Sequence, residues 1–132
     1  MGYTHYWYRP KTLNNFDHFQ KDVKTLFLEI PKDIKIDWAG NSSVVNFNGH
    51  GDLSHETFYV PETIVAPPQD ELFFDFCKTA NKPYDLLVVA SLIVLKYYCP
   101  ECKISSDGDA EDWEEGLTFC RDVLKYGENP IK

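Results

Sequence analysis

Apolar residues along the chain fall into short strand-like runs and three longer stretches with helical spacing, and their order outlines the fold. Residues 3–8 are aromatic or β-branched except for His5. They predict a first strand packed on both faces and ended by Arg9, Pro10 and Lys11. From Asn14 onward, Phe16, Phe19, Val23, Leu26, Phe27 and Ile30 recur at helical spacing, with Asn14 or Asn15 as N-cap and Pro31 as the stop. The middle, 34–69, is rich in turn formers. Short apolar runs at 34–38, 44–47 and 58–60 predict strands, joined by Gly40-Asn41-Ser42-Ser43 and Asn48-Gly49-His50-Gly51-Asp52, with Pro61, Pro67 and Pro68 marking an irregular return.

A strand over 72–77 follows, then a helix with Pro83 in its first turn that runs to about Tyr98. That helix is apolar on almost every side and is expected to be the most buried element. A short strand over 103–105 and a last helix from about Ala110 to Tyr126 complete the order, with Gly127 as the stop. The pattern is α+β: a single globular domain over 1–132, read as a two-layer sandwich with a mixed sheet of five to six short strands and three helices. The strand over 72–77, the apolar helix and the strand over 103–105 form a candidate crossover unit.

The 43% hydrophobic and 15% aromatic content is enough for one real core. A formal net charge of −8 and a pI near 4.8 argue against duplex nucleic acid as a partner, whereas a local basic pocket still suits a small anion. Residues 1–10 lack the apolar core of a signal peptide, and the run 86–95 is about half the length of a membrane span. A cytoplasmic protein with no membrane partner is expected.

The candidate chemistry concentrates at the strand-to-helix junction Cys77-Lys78-Thr79-Ala80-Asn81-Lys82-Pro83-Tyr84-Asp85. There a cationic loop feeds a helix N-terminus with its unpaired N–H groups and partial positive charge. With the loops at Arg9-Pro10-Lys11 and Ser105-Ser106-Asp107-Gly108, it is expected to line one sheet edge suited to phosphate and ribose. In this reading Lys78, Thr79 and Lys82 hold phosphate and Arg9 adds charge. Trp7, Tyr8 or Tyr84 stacks a ring, and Ser106 and Asp107 take ribose hydroxyls.

A second candidate region holds His50, His55 and Thr57. His55-Glu56-Thr57 fits one His-x-Thr half of a two-histidine phosphoesterase, but no second half follows His5, His18 or His50. No metal or other cofactor is expected. Cys99-Pro100-Glu101-Cys102 lacks the second ligand pair of a zinc site and follows a helix instead of opening one, so it reads as a pair of reduced thiols. Seven of the twenty-one acidic residues lie within 101–115. The loop begun by Asp107-Gly108-Asp109 has Asp112 and Thr118 where a calcium loop needs Gly and Glu, which leaves pairing with a helix N-terminus as their role.

Taken together, Met1-Gly2-Tyr3-Thr4-His5-Tyr6-Trp7, the junction from Cys77 to Asp85, and Ser105-Ser106-Asp107-Gly108 resemble a group of short, mostly uncharacterised proteins of bacteriophages and bacteria. Gly51-Asp52-Leu53-Ser54-His55-Glu56-Thr57-Phe58 also looks like that group. Small phage proteins of this size include sponges for nucleotide immune signals, such as those of Thoeris and cyclic-oligonucleotide defence. With a phosphate-suited loop and no assembled catalytic motif, the expectation is a binding protein of this phage type that sequesters a small nucleotide-derived ligand in the host cytoplasm. Alternatives are a phosphoesterase or nucleotide hydrolase using His55 with His50 or His5, and an inhibitor that blocks a host protein. A site shared across a homodimer would suit a small domain with exposed aromatics.

Overall fold

The computed structural model describes residues 3–65 and 71–131; Met1, Gly2, residues 66–70 with Pro67 and Pro68, and Lys132 lie outside the described residues. The elements are β1 (Thr4–Arg9), α1 (Phe16–Glu29), β2 (Ile36–Trp38), β3 (Val44–Gly49), β4 (Phe58–Pro61), β5 (Phe73–Lys78), α2 (Asp85–Tyr98), β6 (Lys103–Ser106) and α3 (Glu114–Leu124). Single 3₁₀ turns lie at Gly51–Leu53 and Glu111–Trp113. This is an α+β fold.

The six strands divide into two antiparallel sheets, β5-β1-β6 and β2-β3-β4, where the sequence suggested one mixed sheet. β5 and β6 each run antiparallel to β1 and so parallel to each other, with α2 as the connection between them across β1. The β5–α2 loop and the loop after β6 therefore share one sheet edge, beside Thr4 and His5. The end of β1 lies at the opposite edge, because Arg9 pairs with Phe73 where β5 begins.

α2 is the centre of the molecule. Leu87 to Leu95 are all buried, and both other helices pack on it, which explains its lack of a polar face. α1 buries Phe16, Phe19, Val23 and Leu26, while its N-cap residue Asn15 makes no capping bond and reaches Tyr98 O instead. An aromatic chain from Phe27 through Trp38, Phe47 and Phe58 to Trp7 links α1 and both sheets. α3 ends at Leu124 with Lys125 in the left-handed conformation (φ 69°), two residues before the glycine expected to stop it. No described helix is long and apolar enough to cross a membrane.

Candidate functional site

Local sequence brings the β5–α2 junction to a tight double bend. Ala80 and Asn81 are both left-handed (φ 52° and 57°), which turns the chain from the strand into the first turn of α2. The bend consumes its own donors. The N–H groups of Thr79 and Ala80 both reach Tyr3 O, that of Asn81 reaches Thr79 Oγ1, and that of Lys82 reaches Thr79 O. Asp85 N–H bonds Lys82 O, Leu86 N–H bonds Pro83 O and Leu87 N–H bonds Tyr84 O.

The anion at this helix N-terminus is the protein's own Asp85. Its Oδ1 lies 2.6 Å from His5 Nε2 and accepts the Thr79 hydroxyl at 2.7 Å. His5 Nδ1 lies 2.7 Å from Ser106 Oγ, which also accepts the Gly108 N–H at 2.9 Å. With its proton on Nε2, His5 donates to the carboxylate and accepts the serine hydroxyl, so both ring nitrogens are satisfied. The order Ser–His–Asp matches an activated hydroxyl, but the imidazole is fully buried, in T-shaped contact with both Tyr3 and Trp113. The 460 Å³ cavity nearby is lined by Asp85 and not by His5 or Ser106. The network therefore acts as a clamp between β1, β6 and α2.

Several expected ligand groups are spent on structure. Arg9 is 1% exposed, and its guanidinium donates to the carbonyls of Pro10, Lys11, Pro61 and Glu62 at the far sheet edge, so it adds no charge to the junction. Trp7 lies in the core against Phe58, because odd positions of β1 face inward. Tyr84 is buried, with its hydroxyl bonded to Glu56 O at 2.5 Å, and burial pushes its phenol well above the usual range. Both Asp107 oxygens are occupied, by Thr4 N–H and by Tyr6 OH, each at 3.0 Å. Lys82 Nζ donates to Asp52 O, and Lys82 shares the lining of the 460 Å³ cavity with Asp33, Asp85, Asp112 and Glu115. Four carboxylates against one ammonium oppose an anionic ligand there.

The histidine region is not assembled for acid–base work. His50 pairs with Asp37 at 3.0 Å in solvent, and Asn48 binds the His55 backbone and Thr57 Oγ1. The His55 side chain has no hydrogen-bond partner among the described residues. Nor, among them, is any group of three or more His, Cys, Asp or Glu placed to hold a metal ion.

What the junction loses, the outer face of the β5-β1-β6 sheet supplies. Register places Tyr6 opposite Phe76 and Ser105, Tyr8 opposite Phe74 and Lys103, and Thr4 opposite Lys78. These residues share the face away from the core. Tyr8, Phe74 and Phe76 are 43%, 52% and 47% exposed. Tyr6 stacks on Phe74 at 6.0 Å between ring centroids, Tyr8 lies 5.3 Å from Phe74, and Phe74 lies 5.9 Å from Phe76. In a chain where acids outnumber bases 21 to 13, the two charged strand positions on this face are both lysines, Lys78 and Lys103, while the Asp107 carboxylate just beyond β6 accepts the Tyr6 hydroxyl.

Of the expected stackers, Tyr8 lies here and Trp7 and Tyr84 do not; of the expected cations, Lys78 borders it and Lys82 and Arg9 do not. Sequence reasoning passed over Tyr6, Phe74 and Phe76 because a continuous aromatic run looks packed on both faces. The signal available was the odd–even split of β5, where Asp75 and Cys77 alternate with Phe74 and Phe76. No family model, curated protein or solved structure matches the chain.

Proposed function

We propose that the protein binds a small nucleotide-derived ligand, and that the ligand's rings stack on the outer face of β1 and β5 instead of entering the strand-to-helix loop. The observation that carries this reading is the row Tyr6, Tyr8, Phe74 and Phe76, flanked by Lys78 and Lys103. Exposed aromatics on an open antiparallel sheet are a stacking platform for bases, worth about 1–3 kcal/mol per base, and flanking lysines suit phosphate. From Tyr6 to Tyr8 the aromatic row runs roughly 7 Å along β1, and Phe76 and Phe74 opposite them on β5 widen it. The net charge of −8 opposes a long polyanion far more than a short one. Sequestration of an immune signal in the cytoplasm is the particular form of this function suggested by the resemblance to phage proteins.

Calorimetry with a panel of mono-, di- and cyclic nucleotides tests the reading. Replacing Phe74 and Phe76 together by alanine should weaken binding by roughly tenfold or more, given the worth of a lost stacking contact. Replacing Lys82 by alanine should leave affinity unchanged, because Lys82 lies in the acidic cavity and away from the face. The reverse outcome would return the ligand to the loop. Copurification of a macromolecule with no response to any nucleotide would make the same face a protein-docking surface.

A further inference from the structure

The four cysteines are not equivalent. Cys77, Cys102 and Cys120 are fully enclosed, whereas Cys99 is 7% exposed and lines a 240 Å³ cavity with Pro100 and Glu101. Cys99 caps the end of α2, and Cys102 N–H bonds back to Cys99 O at 3.0 Å, so one tight turn holds both thiols. A four-residue turn keeps its end Cα atoms within about 7 Å, compatible with the span of a disulfide.

Two neighbours polarise the pair. The neighbouring Cys102 thiol shifts Cys99 below the usual thiol range, against burial and the Glu101 carboxylate, which both act to raise it, while burial pushes Cys77 up to about 12 and Cys120 up to about 11. The second neighbour is Arg9. Its buried guanidinium hydrogen-bonds only carbonyl oxygens among the described residues, and Cys102, Asp75 and Cys99 are the groups that bear on its charge. Arg9 is thus a fixed, desolvated cation that favours the thiolate forms of the pair, Cys102 before Cys99.

We propose that Cys99 and Cys102 are a redox-active dithiol that exchanges with small neutral disulfides admitted to the cavity, Cys99 attacking and Cys102 resolving. The Cys99 thiolate bonds one sulfur of the incoming disulfide, whose S–S bond breaks and releases the first thiolate. Cys102, losing its proton, then attacks the Cys99 sulfur and releases the second. Two protein thiols and one small disulfide become one protein disulfide and two small thiols, with protons and electrons balanced. Glu101, whose Oε1 accepts the Cys99 S–H at 3.1 Å, disfavours anionic disulfides at the same mouth.

Folded protein treated with hydroxyethyl disulfide should lose the mass of two hydrogens, and peptide mapping should place the new bond between Cys99 and Cys102. The Cys102→Ser protein should stop at a mixed disulfide on Cys99, and the Cys99→Ser protein should stay unmodified. In untreated wild type, Cys99 should alkylate about tenfold faster than Cys77 or Cys120. All four thiols free after treatment, or equally fast modification of Cys102 in Cys99→Ser, would overturn the proposal. Mapping of the wild type decides the matter even where a serine variant fails to fold.

Discussion

At the scale of single residues, His5 shows how a buried polar group fastens separate parts of the chain. Its partners are Asp85, 80 positions away, and Ser106, 101 positions away, so β1, α2 and β6 meet at one imidazole. Leaving a buried ring nitrogen unpaired costs about 1–3 kcal/mol. The Ser106→Ala protein should therefore melt roughly 3–10 °C lower in a calorimetric scan. A serine-directed fluorophosphonate should leave Ser106 unlabelled; stoichiometric labelling would mean that the hydroxyl is an available nucleophile and no clamp. None of this was legible in the sequence, because each partner had a sufficient local role: Asp85 as a first-turn acid, Ser106 as a loop hydroxyl. Lys78, Lys82 and Thr79 were visible as candidates, but whether a loop spends its N–H groups on itself depends on φ at Ala80 and Asn81, which composition does not encode.

At the scale of elements, the three helices were readable because their burial patterns are periodic and local, and the all-round apolar character of Leu87 to Leu95 correctly placed α2 between its neighbours. Sheet partition was not readable, since β1 draws its neighbours from β5 and β6, far along the chain. α3 and α2 approach closely at Gly116 of α3, where an added Cβ would run into Val89 Cγ1 and lie 3.0 Å from Val89 Cβ on α2. Alanine would gain about 0.8–1.0 kcal/mol of helix propensity, while overpacking costs about 1–3 kcal/mol, so the crossing decides the sign. Gly116→Ala should lower unfolding free energy by roughly 1 kcal/mol in urea, and adding Val89→Ala should remove the steric part. Equal losses from Gly116→Ala in both backgrounds would locate its effect somewhere other than the helix contact.

At the scale of the whole molecule, burial of weak acids sets a limit at high pH. Burial raises Cys77 from its ordinary 9.0 to about 12, Cys120 from 9.0 to about 11 and Tyr3 from 10.0 to about 12. Each group is neutral when protonated, and the folded chain holds these protons more tightly than the unfolded one. Above pH 9 the unfolded state begins to release them while the folded state does not, so the unfolded chain binds fewer protons than the folded one and unfolding free energy declines with rising pH. Their contribution is complete below the unfolded values and is lost as the pH climbs through 11 to 12. Urea titrations at successive pH values should show a decline beginning near pH 9, with a shallower slope in Cys120→Ala, which lacks one of the three groups. An unchanged slope in that variant would show that the Cys120 thiol ionises alike in both states, and that the interior around α3 is open enough to solvate a thiolate.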